Sequence, residues 1–349
     1  MRTLEDLMFN LSSLNVKLWA EDGRLLYKSP KGVLTSELKA ELAERKSDVI
    51  AFLNAAASPL EPNHPKLTRL NRVGVVPLSF AQERIWFLEQ LEPDSPAYNI
   101  PAILNFKGKV CIEAVGQTMA EITRRHEALR TTFSTSSEGL TQTIALPSSM
   151  PLPVVDLLGL SQSERDSQSK RIAEEEGGRT FDLCRGPLAR ARVVKTAADS
   201  HALLLTLHHI VSDGWSVGVL NRELGIIYGD FRRGAVDSLP DLSIQYADFA
   251  AWQRRWLSGP TLERQLAYWK EQLAGSPALL SLPTDRPRPP VQSYSAERET
   301  FDLDAELSAR LKAVADQARA TTFMTLLSAF AVLLSRYSGQ DDLTIGTPI

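Results

Sequence analysis

The residues best suited to chemistry are two adjacent histidines, His208 and His209, in the stretch Leu207-His208-His209-Ile210-Val211-Ser212-Asp213-Gly214-Trp215. Imidazole has an unperturbed pKa of about 6.5, so it takes up and returns a proton near neutrality. A carboxylate close by, here Asp213, is a recurring partner for such proton transfer. Metal binding is the competing use of histidine. The five histidines (His64, His126, His201, His208, His209) and the two cysteines show no metal-ligand spacing.

Those side chains need elements to hold them. Upstream, 202–207 is a continuous apolar run, as expected of a strand buried on both faces. Downstream, Trp215, Leu220, Leu224 and Ile227 recur at helical spacing. The histidines therefore fall where a buried strand opens into a loop that Asp213-Gly214 closes. Neighbouring strand residues point to opposite faces, so one histidine looks into a cavity and the other into the core. That divergence also argues against His208 and His209 sharing a zinc ion.

The chain has 349 residues and a formal net charge of -3. Its length suits two or three domains with ample cores. The near-neutral balance gives no reason to expect a nucleic-acid partner. Cys111 and Cys184 are too few for a disulfide framework, and the expectation is two reduced thiols in a cytoplasmic protein. Residues 1–14 lack the continuous apolar core of a signal peptide, and no stretch approaches a membrane span.

The first 57 residues form a unit of their own. Leu4, Leu7, Met8, Leu11 and Leu14 make one helical face behind Thr3. Strands are expected over 16–20 and 25–27, joined at Asp22-Gly23, the favoured hairpin pair. Ser36 opens a second helix and Ser47 a third. Pro59, Pro62 and Pro65 mark a linker over 58–73. Lys17, Arg24, Lys28 and Lys31 cluster on and around the hairpin, whose open edge can take an extended acidic peptide as an added strand.

Beyond the linker, further motifs stand in order. Ser79-Phe80-Ala81-Gln82-Glu83-Arg84-Ile85-Trp86 fits SxAQxRxW, and Arg125-His126-Glu127-Ala128-Leu129-Arg130-Thr131-Thr132-Phe133 fits RHExLRTxF. Tyr246-Ala247-Asp248-Phe249-Ala250-Ala251-Trp252 fits YxDxAxW. With HHxxxDG at His208 to Gly214, the chain resembles condensation domains of nonribosomal peptide synthetases, within the chloramphenicol-acetyltransferase-like acyltransferases. Residues 1–57 resemble the small N-terminal docking domains of the tubulysin-synthetase type.

The resemblance implies a mixed α+β, α/β fold of two lobes, 74–240 and the start of a second at 241–349, behind the helix–hairpin–helix–helix docking domain. The ending at Thr344 to Ile349, inside an apolar strand and short of the family's later motif, is expected of a fragment of a longer protein. The implied reaction joins an upstream acyl or peptidyl thioester to the amine of a downstream aminoacyl thioester. Both ride on phosphopantetheine arms of carrier proteins, so the domain binds no cofactor directly. The implied partners are those carriers, the C-terminal tail of an upstream synthetase, and an adenylation domain in the full-length protein. The surroundings of Asp213 most resemble the subtype joining two L-residues. A fragment acting mainly in docking, and an epimerisation-type relative, are the alternatives.

Residue by residue, His209 aligns with the catalytic position, either as general base or as the group that orients the amine. Positioning followed by later proton removal is favoured, because an α-amino group with a pKa of about 7.7–8.0 is already partly neutral near pH 7. His208 faces inward. Gly214 leaves room for an arm, and its N–H assists an oxyanion. Asp213 pairs with Arg130 or Arg125 across a structural ion pair. Losing one member of a buried pair costs about 3–5 kcal/mol, so Asp213→Ala is expected to misfold.

Overall fold

The structure, a computed structural model, describes residues 7, 11, 16–21, 24–29, 34–50, 65–70, 75–93, 95–137, 139–235, 238–287 and 299–347. Two compact units emerge: residues 65–264, and residues 1–64 together with 265–349.

The unit over 65–264 is built on a four-stranded sheet in the order β4-β9-β8-β7. Its strands are β4 (Asn99–Lys107), β7 (Val154–Asp156), β8 (Ala189–Ala197) and β9 (Ser200–His208). All pairings are antiparallel except β7 with β8. β9 lies between β4 and β8, and both of its faces are covered. Leu203, Leu205 and Leu207 pack under α3 (Ile112–Arg125) and α5 (Gly214–Arg232), with Met119, Ile122, Leu224 and Ile227. Leu204 points the other way, against Ile172 of α4 (Gln162–Gly178). Burial on both sides is why 202–207 reads as an uninterrupted apolar run rather than an alternating one.

A second sheet, β3-β6-β5, joins β3 (Val76–Pro77), β5 (Thr131–Ser136) and β6 (Gly139–Ile144). Helix α2 (Phe80–Leu91) starts in a capping box: the Ser79 hydroxyl accepts from the Gln82 amide, and the Gln82 side chain accepts from the Ser79 amide. Helix α6 (Tyr246–Trp256) is tied to this start. Tyr246 Oη lies 3.0 Å from Ser79 Oγ, Gln253 accepts from the Phe80 amide at 3.0 Å, and Arg254 donates to the Leu78 carbonyl at 2.7 Å. A lobe boundary at 240/241 remains a proposal; the compact unit itself continues to Arg264 because of these ties.

In the other unit, β1 (Lys17–Glu21) and β2 (Arg24–Lys28) pair antiparallel. Leu7, Leu11, Val16, Leu42 and Val49 form a core with Leu18, Leu25, Leu34 and Leu38 around it. Helix α1 (Ser36–Glu44) is capped by Thr35, whose hydroxyl accepts from the Leu38 amide, one residue before the expected Ser36. The Asp22-Gly23 turn, Leu4, Met8, Leu14, Lys31, Pro59 and Pro62 lie outside the described residues. The division between the units falls within α7 (Gly259–Gln272). Further on come α8 (Ala305–Gln317) and α9 (Thr322–Ser338), capped by Asp304 and Thr321. On α9, Phe323, Leu326, Phe330 and Leu333 are exposed, while Leu327 and Leu334 are partly buried.

Candidate active site

β9 ends at His208, and the loop to α5 begins at His209. The last ladder contacts still fix this corner: the His208 amide donates to the Leu188 carbonyl at 3.0 Å and the His209 amide to the Tyr98 carbonyl at 2.8 Å. Beyond them the side chains diverge, as strand alternation requires.

His208 is sealed, with 1% of its side chain exposed. Its Nδ1 accepts from the Ile210 amide at 3.2 Å, which places the neutral ring's proton on Nε2. Nε2 lies 3.7 Å from Glu89 Oε2 of α2, and Phe181 stands edge-on to the ring at 5.8 Å. The motif groups His208 with the catalytic residues. Its burial and its bond with the Ile210 amide tie it to the inner side of the loop.

His209 is exposed. Burial opposes ionisation of its neighbour Asp213, but the Ser216 hydroxyl and amide, the charge of His209 and the Trp215 amide together outweigh it. The Asp213 carboxyl is thereby held below the ordinary aspartate range.

Asp213 is the N-cap of α5. Its Oδ1 accepts from the Ser216 amide at 2.7 Å and the Ser216 hydroxyl at 2.6 Å. The expected pairing with Arg130 or Arg125 is therefore corrected, because each partner has nearer company. Asp213 sits where a helix offers unsatisfied amides and the positive end of its dipole. Arg125 is buried against Glu223 at 3.3 Å and donates to the Leu239 and Pro240 carbonyls. Arg130 lies 3.4 Å from Glu127 and donates to the Thr123 and Ala145 carbonyls.

Glu223, which the motif pattern did not single out, is the anion the second motif needs. It accepts from Arg125, and its Oε2 lies 2.8 Å from His126 Nε2. Burial pushes its carboxyl upward, but hydrogen bonds from His126 and Arg125 bring it below the usual glutamate range. A signal was present: Glu223 falls on the apolar stripe of Leu220, Leu224 and Ile227, where a charge requires a buried partner. Glu89 carried a similar signal on the core side of α2.

The motifs converge behind the loop. Gln82 donates to the Ile210 carbonyl at 3.4 Å. Gln245, preceding α6, donates to the Arg125 carbonyl at 2.8 Å and accepts from the Glu127 amide at 3.1 Å. Asp248 is fully buried and accepts from the Gln245 and Leu70 amides. A Cβ added at Gly214 would meet nothing within 4 Å, so space is open in front of the helix start. Beside the loop lies a cavity of about 200 Å³, walled by Leu129, Ser212, Trp215, Val219, Ile244 and Tyr246. Ser212 is buried and its hydroxyl has no hydrogen-bond partner, while Trp215 is 84% exposed. Among the described residues no cluster could hold a metal ion, and no single helix is long and apolar enough to cross a membrane.

The end of β9 thus presents one histidine to solvent and buries the other, beside an aspartate that caps α5. The family model for the condensation domain matches residues 73–349, and the chain belongs to that family. The model for the TubC N-terminal docking domain matches residues 4–54. The chain is 43% identical over 303 residues to one of the linear gramicidin synthase proteins of Brevibacillus parabrevis, covering 87% of this chain and 4% of that protein. It is 45% identical over 298 residues to phosphinothricin tripeptide synthetase PhsC of Streptomyces viridochromogenes, covering 85% of this chain and 27% of that one. Among solved structures, one described as the molecular basis for condensation domain-mediated chain release from the enacyloxin polyketide synthase superposes with a TM-score of 0.62. It is 30% identical and covers 97% of this chain and 64% of its own. The fold is thus the chloramphenicol-acetyltransferase-like fold of condensation domains, and the chain spans only a small part of the synthetases it matches.

Proposed function

We propose that this chain forms the amide bond between an upstream acyl or peptidyl thioester and the amine of a downstream aminoacyl thioester, joining two L-residues. The carrying observation is that His209 alone of the pair reaches solvent, beside a fixed carboxylate, while His208 is locked in the core. The amine attacks the thioester carbonyl and becomes cationic. It then loses a proton to His209, and the carrier's thiolate leaves as the carbonyl re-forms. Asp213 balances the charge that His209 acquires. The Gly214 amide, at the start of α5, is the donor assigned to the developing oxyanion. The phosphopantetheine arms belong to the carrier proteins and supply the thioesters, so no directly bound cofactor is needed. In the full-length protein an adenylation domain loads the downstream carrier, and the assembly works in the cytoplasm.

The test is His209→Ala in the parent synthetase with both carriers loaded. Peptide formation is expected to fall to a few per cent or less, with an unchanged fold, since general acid–base assistance is worth about 10²–10⁴-fold. Retained turnover would remove His209 from the chemistry.

Docking is a second function of the same chain. Lys17 stands directly opposite Lys28 in the hairpin register, and like charges so placed are destabilising. An acidic C-terminal tail of an upstream synthetase would offset that repulsion when it binds. Arg24 and Lys28 are exposed, and with Lys31 they extend the basic face in sequence.

A further inference from the structure

The amide-forming reaction leaves one buried carboxylate without a role. Gln82, Ile85 and Glu89 are the buried residues of α2, and their spacing puts them on one helical face. Two of the three are polar, and both touch the segment that carries His209. Gln82 donates to the Ile210 carbonyl at 3.4 Å. Glu89 Oε2 lies 3.7 Å from His208 Nε2. Glu89 is 6% exposed, and this oxygen has no hydrogen-bond partner among the described residues. Its ion-pair contact there is His208. Burying a carboxylate beside no permanent cation is costly, so the atom facing it matters.

The His208 ring has two ends, and its surroundings choose between its two neutral forms. Nδ1 accepts from the Ile210 amide at 3.2 Å, so the proton sits on Nε2, beside the carboxylate. In the other tautomer an Nδ1–H would meet the Ile210 N–H, and the Nε2 lone pair would stand beside an anion. Both contacts repel, more strongly in a dry interior than in water. Glu89 and the Ile210 amide therefore select the same tautomer from opposite ends of the ring. The consequence falls on the residue after His209. Ile210 is held at both backbone groups, its N–H by His208 and its C=O by Gln82. The His209 amide itself donates to the Tyr98 carbonyl at 2.8 Å. The backbone is thus fixed at His209 and again just after it, and both later ties lead back to the buried face of α2.

We infer that Glu89 is a positioning residue for amide formation. It keeps His208 in the Nε2–H form, His208 in that form holds the Ile210 amide, and the held backbone aims the His209 imidazole. The inference rests on His209 as the group that handles the proton. Histidine-ring NMR of the unmodified chain is the first test. His208, identified through its contacts with Phe181 and Tyr98, should be neutral with its proton on Nε2. Glu89→Leu removes the acceptor, and the Nδ1–H form should then appear at the same ring.

In the parent synthetase with both carriers loaded, Glu89→Leu should lower kcat by roughly tenfold or more and leave KM unchanged, as loss of alignment does. Glu89→Gln keeps an oxygen that accepts from Nε2, and should keep the tautomer and most of the rate. A His208 proton found on Nδ1 in the unmodified chain overturns the inference, and that measurement needs no variant to fold. So does a Glu89→Leu chain with the original tautomer or the original kcat, or a Glu89→Gln chain as slow as Glu89→Leu. Failure of the underlying reading shows separately, as turnover retained in His209→Ala.

Discussion

At the scale of single residues, Asp213 separates two explanations of its motif. A carboxylate buried against an arginine would make Asp213→Ala a folding defect. The observed carboxylate is exposed and caps α5 through Ser216. Asp213→Ala is therefore expected to fold, losing about 1 kcal/mol, the usual cost of removing an N-cap acceptor. Asp213→Asn keeps that acceptor and should stay within about 0.5 kcal/mol of the original protein. Urea unfolding of both variants checks this. Amide formation should fall in both by at least about tenfold, equivalent to 1.4 kcal/mol, because both lose the charge facing His209. Activity retained in the asparagine variant would mean that Asp213 only shapes the loop. The pH sign follows from the depressed carboxyl. The stability it contributes is present above its unfolded pKa and disappears as pH falls through the lower folded value. The divergence of His208 and His209 was legible in sequence, since strand alternation alone demands it. The partner of Asp213 was not, because side-chain pairing across the fold depends on which acceptor is nearer, and here local amides were nearer than either arginine.

At the scale of elements, the second motif works as a clamp between α3 and α5. Arg125 and Glu223 are both nearly buried, so removing Arg125 takes one of the cations from the buried carboxylate and leaves it with His126 among the described residues. Arg125→Ala is expected to cost about 1–3 kcal/mol in denaturant unfolding, because the buried carboxylate keeps its bond to His126. A loss under about 1 kcal/mol would show that the clamp contributes little. Acid should weaken it too: Glu223 is depressed, so its contribution holds above the unfolded glutamate pKa and is lost as pH drops through its folded value. The hairpin gives a prediction of opposite sign. Lys28→Glu converts a like-charge pair with Lys17 into an opposite-charge pair, and should stabilise β1–β2 by about 0.2–1 kcal/mol, read as slower amide exchange. Elements with strong periodicity, such as β9 and α5, were readable in advance. The exposure of α9 was not, because an apolar face says only that a helix can be covered, and not what covers it.

At the scale of the whole molecule, the two proposed functions, docking and condensation, make separable demands. Docking, as proposed, raises the local concentration of an upstream carrier, while the role proposed for His209 begins only after the thioester has arrived. Their defects should therefore respond oppositely to concentration. With the upstream protein supplied separately at low concentration, Lys28→Glu should slow amide formation by roughly tenfold, through loss of attraction for the acidic tail. Raising the upstream protein should restore the original maximal rate. Fusing the upstream carrier directly to residue 1 should do the same, because a tether replaces the interaction the hairpin provided. His209→Ala should be rescued by neither. The same Lys28→Glu chain is expected to have the more stable hairpin and the poorer docking, so a general folding defect cannot produce the pattern. If raised concentration leaves Lys28→Glu slow, the hairpin's charge acts on something other than recruitment. If tethering restores His209→Ala, the imidazole is not the group that handles the proton.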